Sequence, residues 1–114
     1  MRRIYLSGPM TGLPDENRPA FNAEAARLRA LGYQVENPAE LNEPTDPRAV
    51  CMRRDIQALM TCDAVAMLPG WTNSQGAMLE HACAVQCGMK VVVASKILSP
   101  RQGLGAERAE VCNA

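Results

Sequence analysis

Three features of the sequence predict an α/β protein. Short apolar runs alternate with helical stripes in the order β-α-β-α-β-α-β, the pattern of a parallel sheet with helices packed on its faces. The run Asp63–Leu68 is apolar throughout, as a strand covered on both faces is. The loops after the first and third runs, Ser7–Pro14 and Pro69–Gly76, are both rich in Gly, Pro, Ser and Thr, which suits a close-fitting pocket. The expected architecture is a three-layer Rossmann- or flavodoxin-like parallel sheet of four or five strands, ordered 2-1-3-4, with helices on both faces. There is no internal repeat and no linker, so residues 1–114 are expected to form one domain. Ligands of such sheets bind beyond the carboxyl ends of the strands at the switch point, here between the first and third strands.

In chain order, Ile4–Gly8 is a short apolar strand that breaks into a Gly/Pro loop. Asn17–Leu31 carries Phe21, Ala25, Leu28 and Leu31 at helical spacing, with Pro19 near its start and Gly32 after its end. Tyr33–Asn37 alternates as a second strand, stopped by Pro38, and 39–47 reads as a loop or a broken helical turn. Arg48–Thr61 is a second helix with Met52, Ile56, Leu59 and Met60 assigned to its buried face. Gln75–Cys87 is the third, with Gly88 at C′. Lys90–Ser95 is the fourth strand. The tail, 97–114, is weakly patterned, with a short helix expected from Gly105 to Cys112.

Composition bounds the function. With 47% apolar and 21% charged residues the chain is an ordinary globular domain rather than a disordered one. Zero formal net charge argues against a nucleic acid polymer as partner, yet a few backbone N–H groups suffice for one phosphate. One histidine and no Cys-x-x-Cys predict no metal site, and Cys83 and Cys87 read as small core residues. No signal peptide or membrane-length run is visible, so the expectation is a cytoplasmic protein.

Two carboxylates stand out. Asp55 falls in the apolar stripe of the second helix, where an unpaired charge is costly; a site role competes there with a plain bond to a loop N–H. Glu80 lies four residues after Gly76 and so shares its helical face, beside the small residues Cys83, Ala84 and Cys87, and Gly76 is expected to leave room there for a ligand ring. A glutamate on its own is more often a solvated surface charge. If buried, it needs a donor, and Tyr5 on the first strand can supply one. The third helix is apolar nearly all round, which predicts cover on more than one side, a subunit partner included. At its start, Asn73 and Ser74 serve equally as N-cap or as part of an anion site.

The three blocks Ile4-Tyr-Leu-Ser-Gly-Pro-Met-Thr-Gly12, Arg54-Asp-Ile-Gln-Ala-Leu-Met-Thr-Cys-Asp-Ala-Val65 and Ser74-Gln-Gly-Ala-Met-Leu-Glu80 occur in this order. Together they resemble the nucleoside 2-deoxyribosyltransferase superfamily, in particular its small phage and bacterial branch, over residues 4 to 95. The resemblance implies Glu80 as nucleophile, Asp55 as its catalytic partner and Tyr5 as the residue that orients the glutamate. It implies substrate contacts from Ser7, Gly8, Pro9, Met10, Thr11 and Gly12 in the first loop, and from Gly70, Asn73, Ser74 and Gly76 around the third. The transferases have an aspartate where this chain has Ser74. A serine there is similar to the related deoxynucleotide N-hydrolases, in which it contacts a 5′-phosphate. Those hydrolases also carry a basic residue in the first loop, whereas Thr11 and Leu13 stand here and Arg18 is the candidate substitute. The implied function is cleavage of the N-glycosidic bond of a nucleoside or nucleoside 5′-monophosphate, by hydrolysis or base exchange, with no cofactor. A homodimer or higher homo-oligomer is implied as well. The competing reading is a nucleotide-binding or sensing module without turnover.

Overall fold

The structure is a computed structural model that describes residues 1–101. The helix expected from Gly105 to Cys112 lies outside them. Four parallel strands, β1 (Arg3–Ser7), β2 (Gln34–Glu36), β3 (Ala64–Met67) and β4 (Lys90–Val93), form one sheet in the order β2-β1-β3-β4. The helices are α1 (Arg18–Ala30), the single turn α2 (Pro38–Leu41), α3 (Arg48–Leu59) and α4 (Gln75–Gln86). Among the described residues no helix is long and apolar enough to cross a membrane.

The period-2 alternation of β1 divides the core. Ile4 and Leu6 join Phe21, Ala25 and Leu28 of α1 on one face, together with Val35, Ala66 and Leu68. Tyr5 turns to the opposite face, where Leu59 of α3, Ala84 of α4, Val65 and Met67 close a second cluster. Ser7, fully buried, follows Tyr5 onto that same side at the carboxyl end of the strand. The sheet register sets Tyr5 beside Val65 and Ser7 beside Met67. Two polar side chains of β1 are therefore aimed at the α3–α4 layer by strand geometry alone.

Three expectations need correction. Met60 does not share the buried face of α3: it is 44% exposed while Leu59 is fully buried. Consecutive helical residues are rotated by roughly 100°, so a buried Leu59 sends Met60 outward at the C-cap. Cys87 is also exposed, because the chain leaves α4 at that residue and Gly88 turns away with φ +72°. The fourth strand ends at Val93, and Ala94–Lys96 forms a 3-10 turn. Of the two readings of the segment after β2, the helical turn is the one found: Asn37 caps α2 by accepting from the Ala39 N–H at 3.0 Å.

Gly8 leaves β1 against β3: an added Cβ would lie 2.7 Å from Leu68 Cβ. Gly8→Ala is expected to cost about 1–3 kcal/mol of stability through this overpacking, measured as a lower urea midpoint at unchanged m-value.

Candidate active site

The first helical turn of α4 meets the end of β1. Ser74 is the N-cap of α4, its Oγ accepting from the Ala77 N–H at 3.1 Å. One turn on, Glu80 points inward to the ends of Tyr5 and Ser7. Tyr5 donates its hydroxyl to Glu80 Oε2 at 2.6 Å, and Ser7 Oγ donates to Oε1 at 2.6 Å. Each carboxylate oxygen is thus held by its own donor in a residue only 5% exposed.

Burial pushes the Glu80 carboxyl up to about 7, helped by the nearby charge of Asp55 and opposed by the Ser7 and Tyr5 donors. Tyr5 is pushed well above its ordinary value, first by burial and then by the Glu80 charge, so its hydroxyl keeps its proton and stays a donor.

Asp55 projects from α3 into the same region and is 7% exposed. Asn42 donates through Nδ2 to Asp55 Oδ1 at 2.8 Å. Burial raises the Asp55 carboxyl, while the Asn42 donor and the Arg54 charge hold it back. Each of the two carboxyls is thus raised primarily by burial, and Glu80 further by the charge of Asp55. The charge of Asp55 thus links the titration of Glu80 to its own.

Asp55 and Glu80 both line a cavity of about 210 Å³. Gly8, Met10, Thr11, Ser74 and Gly76 from the sequence-derived set line it too. Tyr5 and Ser7 stand behind Glu80 rather than on the wall. Pro9, Gly12, Gly70 and Asn73 are not among its lining residues. Gly12 and Asn73 are exposed, and Gly70 sits at φ +83° with its α-carbon facing Pro9. The room expected over Gly76 is filled by methionine: Met52 Sδ lies 3.3 Å from where a Cβ would stand.

The opposite wall was not foreseen. It is built from Phe21, Pro38, Asn42, Asp46, Arg48 and Cys51, contributed by α1, the α2 turn, the loop 42–47 and the start of α3. Arg18 also reaches the cavity: its Nη1 and Nη2 donate to the Ala39 and Asn42 carbonyls at 2.6 and 3.0 Å and so fasten α2. Its Nε is buried without a hydrogen bond among the described residues, 3.5 Å from Glu16 Oε1. Just before it, Asp15, Glu16 and Asn17 take left-handed φ values of 50°, 52° and 57°. Such strain in three non-glycine residues persists only where neighbours enforce it, and here Asn17 Nδ2 donates to the Pro9 carbonyl at 2.9 Å. Among the described residues no group of three His, Cys, Asp or Glu side chains is placed to hold a metal.

Residues 2–93 match the model of a domain of unknown function, DUF4406. The chain belongs to this family. A comparison of the DUF4406 chain with curated proteins finds no match. Among solved structures it is similar to a 2-desoxiribosyltransferase from Leishmania mexicana, with TM-score 0.65 and 18% identity over 82% of this chain and 63% of that one. It is also similar to the CMP N-glycosidase BcmB from Clostridium botulinum, with TM-score 0.58 and 21% identity over 81% of this chain and 67% of that one. The DUF4406 chain thus spans about two thirds of the length of each. Its fold is nucleoside 2-deoxyribosyltransferase-like, a four-stranded parallel sheet in the order 2-1-3-4 surrounded by helices.

Proposed function

We propose that this DUF4406 domain cleaves the N-glycosidic bond of a nucleoside or nucleoside 5′-monophosphate, by hydrolysis or base exchange, with Glu80 as nucleophile. The observation that carries the reading is the buried Glu80 carboxylate, gripped by Tyr5 and Ser7 at one end of a cavity that Asp55 also lines. The names of the two structural neighbours, a desoxiribosyltransferase and a CMP N-glycosidase, supply the chemistry that such a site would perform.

Glu80 attacks C1′ of the sugar while the C1′–N bond breaks, its electron pair leaving with the base. Asp55, protonated, delivers its proton to that departing base. The result is a sugar–Glu80 ester and an Asp55 carboxylate. A water molecule, or a second base, then attacks C1′, Asp55 takes back a proton from it, and Glu80 is released. Two donors on Glu80 aim the nucleophile and favour its ionised form against the burial that raises it, and burial favours the protonated form of Asp55. Met10, Thr11 and Gly8 supply the floor for sugar and base, and the N-terminus of α4 at Ser74 faces a 5′-phosphate where the substrate has one.

Incubation with a panel of nucleosides and their 5′-monophosphates, scored for free base by chromatography, tests the proposal. Release of base from at least one member is expected. Tight binding with no base released from any would point instead to a binding or sensing module.

Self-association belongs to the same proposal. Met78, Leu79 and Val85 on the outer face of α4 are each about half exposed, at 51%, 50% and 50%, an apolar stripe left uncovered by the other described residues. A homodimer or higher homo-oligomer by sedimentation is expected, and Leu79→Lys should shift it toward monomer.

A further inference from the structure

The carboxyl of Asp55 is held by a relay that begins outside the cavity. Arg54 is partly exposed, yet its Nη1 donates to Asp46 Oδ2 at 2.9 Å, to the Leu41 carbonyl at 2.9 Å and to Asn42 Oδ1 at 3.0 Å. The amide of Asn42 is thereby fixed. Its oxygen faces the arginine, and its Nδ2 donates to the Pro38 carbonyl at 3.2 Å and to Asp55 Oδ1 at 2.8 Å. Flipping the amide would set its NH2 against the guanidinium and its oxygen against two acceptors, so only one orientation satisfies all three partners. Asn42 is 9% exposed, and it belongs to no part of the chemistry described above.

We propose that Asn42, locked by Arg54, is a positioning residue that decides which oxygen of Asp55 carries the catalytic proton. An N–H aimed at Oδ1 leaves no room for a proton there. The proton therefore resides on Oδ2, which makes no hydrogen bond among the described residues and is the oxygen offered to the departing base. The inference rests on the role given to Asp55 above. The charged and titratable groups that face Asp55 are Arg54 and Cys51 of α3, Tyr5 of β1 and Glu80 of α4. Only Arg54 among them is a cation, and Asn42 is the neutral group that donates to Asp55 directly.

Asn42→Leu separates this role from a structural one. The variant keeps about the size of the side chain and adds no charge, yet it removes the donor to Asp55. Base release is expected to fall by about tenfold or more in kcat with KM little changed. The Asp55 titration, followed by carboxyl 13C NMR in the variant and the parent, should move to higher pH, because the donor to the ionised form is gone. Asn42→Gln, which restores a donor, should recover part of the rate. An Asp55 titration unmoved in Asn42→Leu overturns the inference, as does an unchanged kcat in a protein that turns over. The NMR titration needs no turnover. A chain that releases no base but shifts its Asp55 titration therefore contradicts the proposed function and leaves Asn42 in its assigned place.

Discussion

Glu80→Gln is expected to reduce base release by about a thousandfold or more while leaving the fold intact, because a neutral amide is no nucleophile for the proposed attack on C1′. It should also stabilise the protein at alkaline pH. The Glu80 carboxyl stands near 7 in the folded chain against an ordinary value of 4.5. A carboxyl raised on folding contributes its full stability below pH 4.5 and loses it as pH climbs through about 7, where the folded chain must hold a buried charge. The difference corresponds to about 3 kcal/mol at pH 8, from roughly 1.4 kcal/mol per pH unit. Glutamine is neutral at every pH and escapes that loss. The expected result is a melting temperature for Glu80→Gln above the parent at pH 8 and a gap that closes toward pH 4.5. A variant less stable than the parent at pH 8 would show that the Tyr5 and Ser7 donors outweigh the cost of burying the charge. A cost kept in the active residue is what a site that trades stability for activity carries.

The second large effect is expected at Asp55. Asp55→Asn retains an oxygen for the Asn42 donor but cannot deliver a proton, so base release should fall by about 100- to 10,000-fold. The loss should depend on the leaving group. A base that departs without protonation should be cleaved nearly as fast by the variant, whereas a basic leaving group should show the full loss. Equal losses for both would contradict the acid role. The pH profile of the parent follows from the same pair. Activity requires Glu80 ionised and Asp55 protonated, whereas the charge of Asp55 is among the causes that raise Glu80. The active form is thus the minor of the two singly protonated states, and kcat/KM should follow a bell whose limbs belong to the pair and to neither residue alone.

Much of this was legible from the sequence, for identifiable reasons. The strand order followed from the alternation of apolar runs and helical stripes. Asp55 betrayed itself as the single charge in an apolar helical stripe, and the spacing of Gly76 and Glu80 placed the glutamate on the inner face of α4. What stayed hidden depends on contacts between segments distant in the chain. Ser7 read as a loop contact, yet its position two residues after Tyr5 on the same face of β1 makes it the second donor to Glu80. Period-2 counting along Ile4–Ser7 carries that signal. Asn42 and Arg54 had no such mark: one lay in a turn-rich segment, the other beside Asp55 but off the apolar stripe of its helix. Only the packing of α2 on α3 joins them. Met52 over Gly76 is the same kind of case, because a glycine shows that space is needed and not which side chain takes it.

The stereochemistry of the reaction tests the central claim most directly. A covalent glutamate intermediate requires two displacements at C1′, and hence retention of configuration. Run in the presence of methanol, the reaction of a β-nucleoside should give the β-methyl glycoside, a product that does not mutarotate and is identified by its anomeric proton in NMR. Formation of the α-methyl glycoside would mean that water or methanol attacks in a single step, and Glu80 would not be the nucleophile.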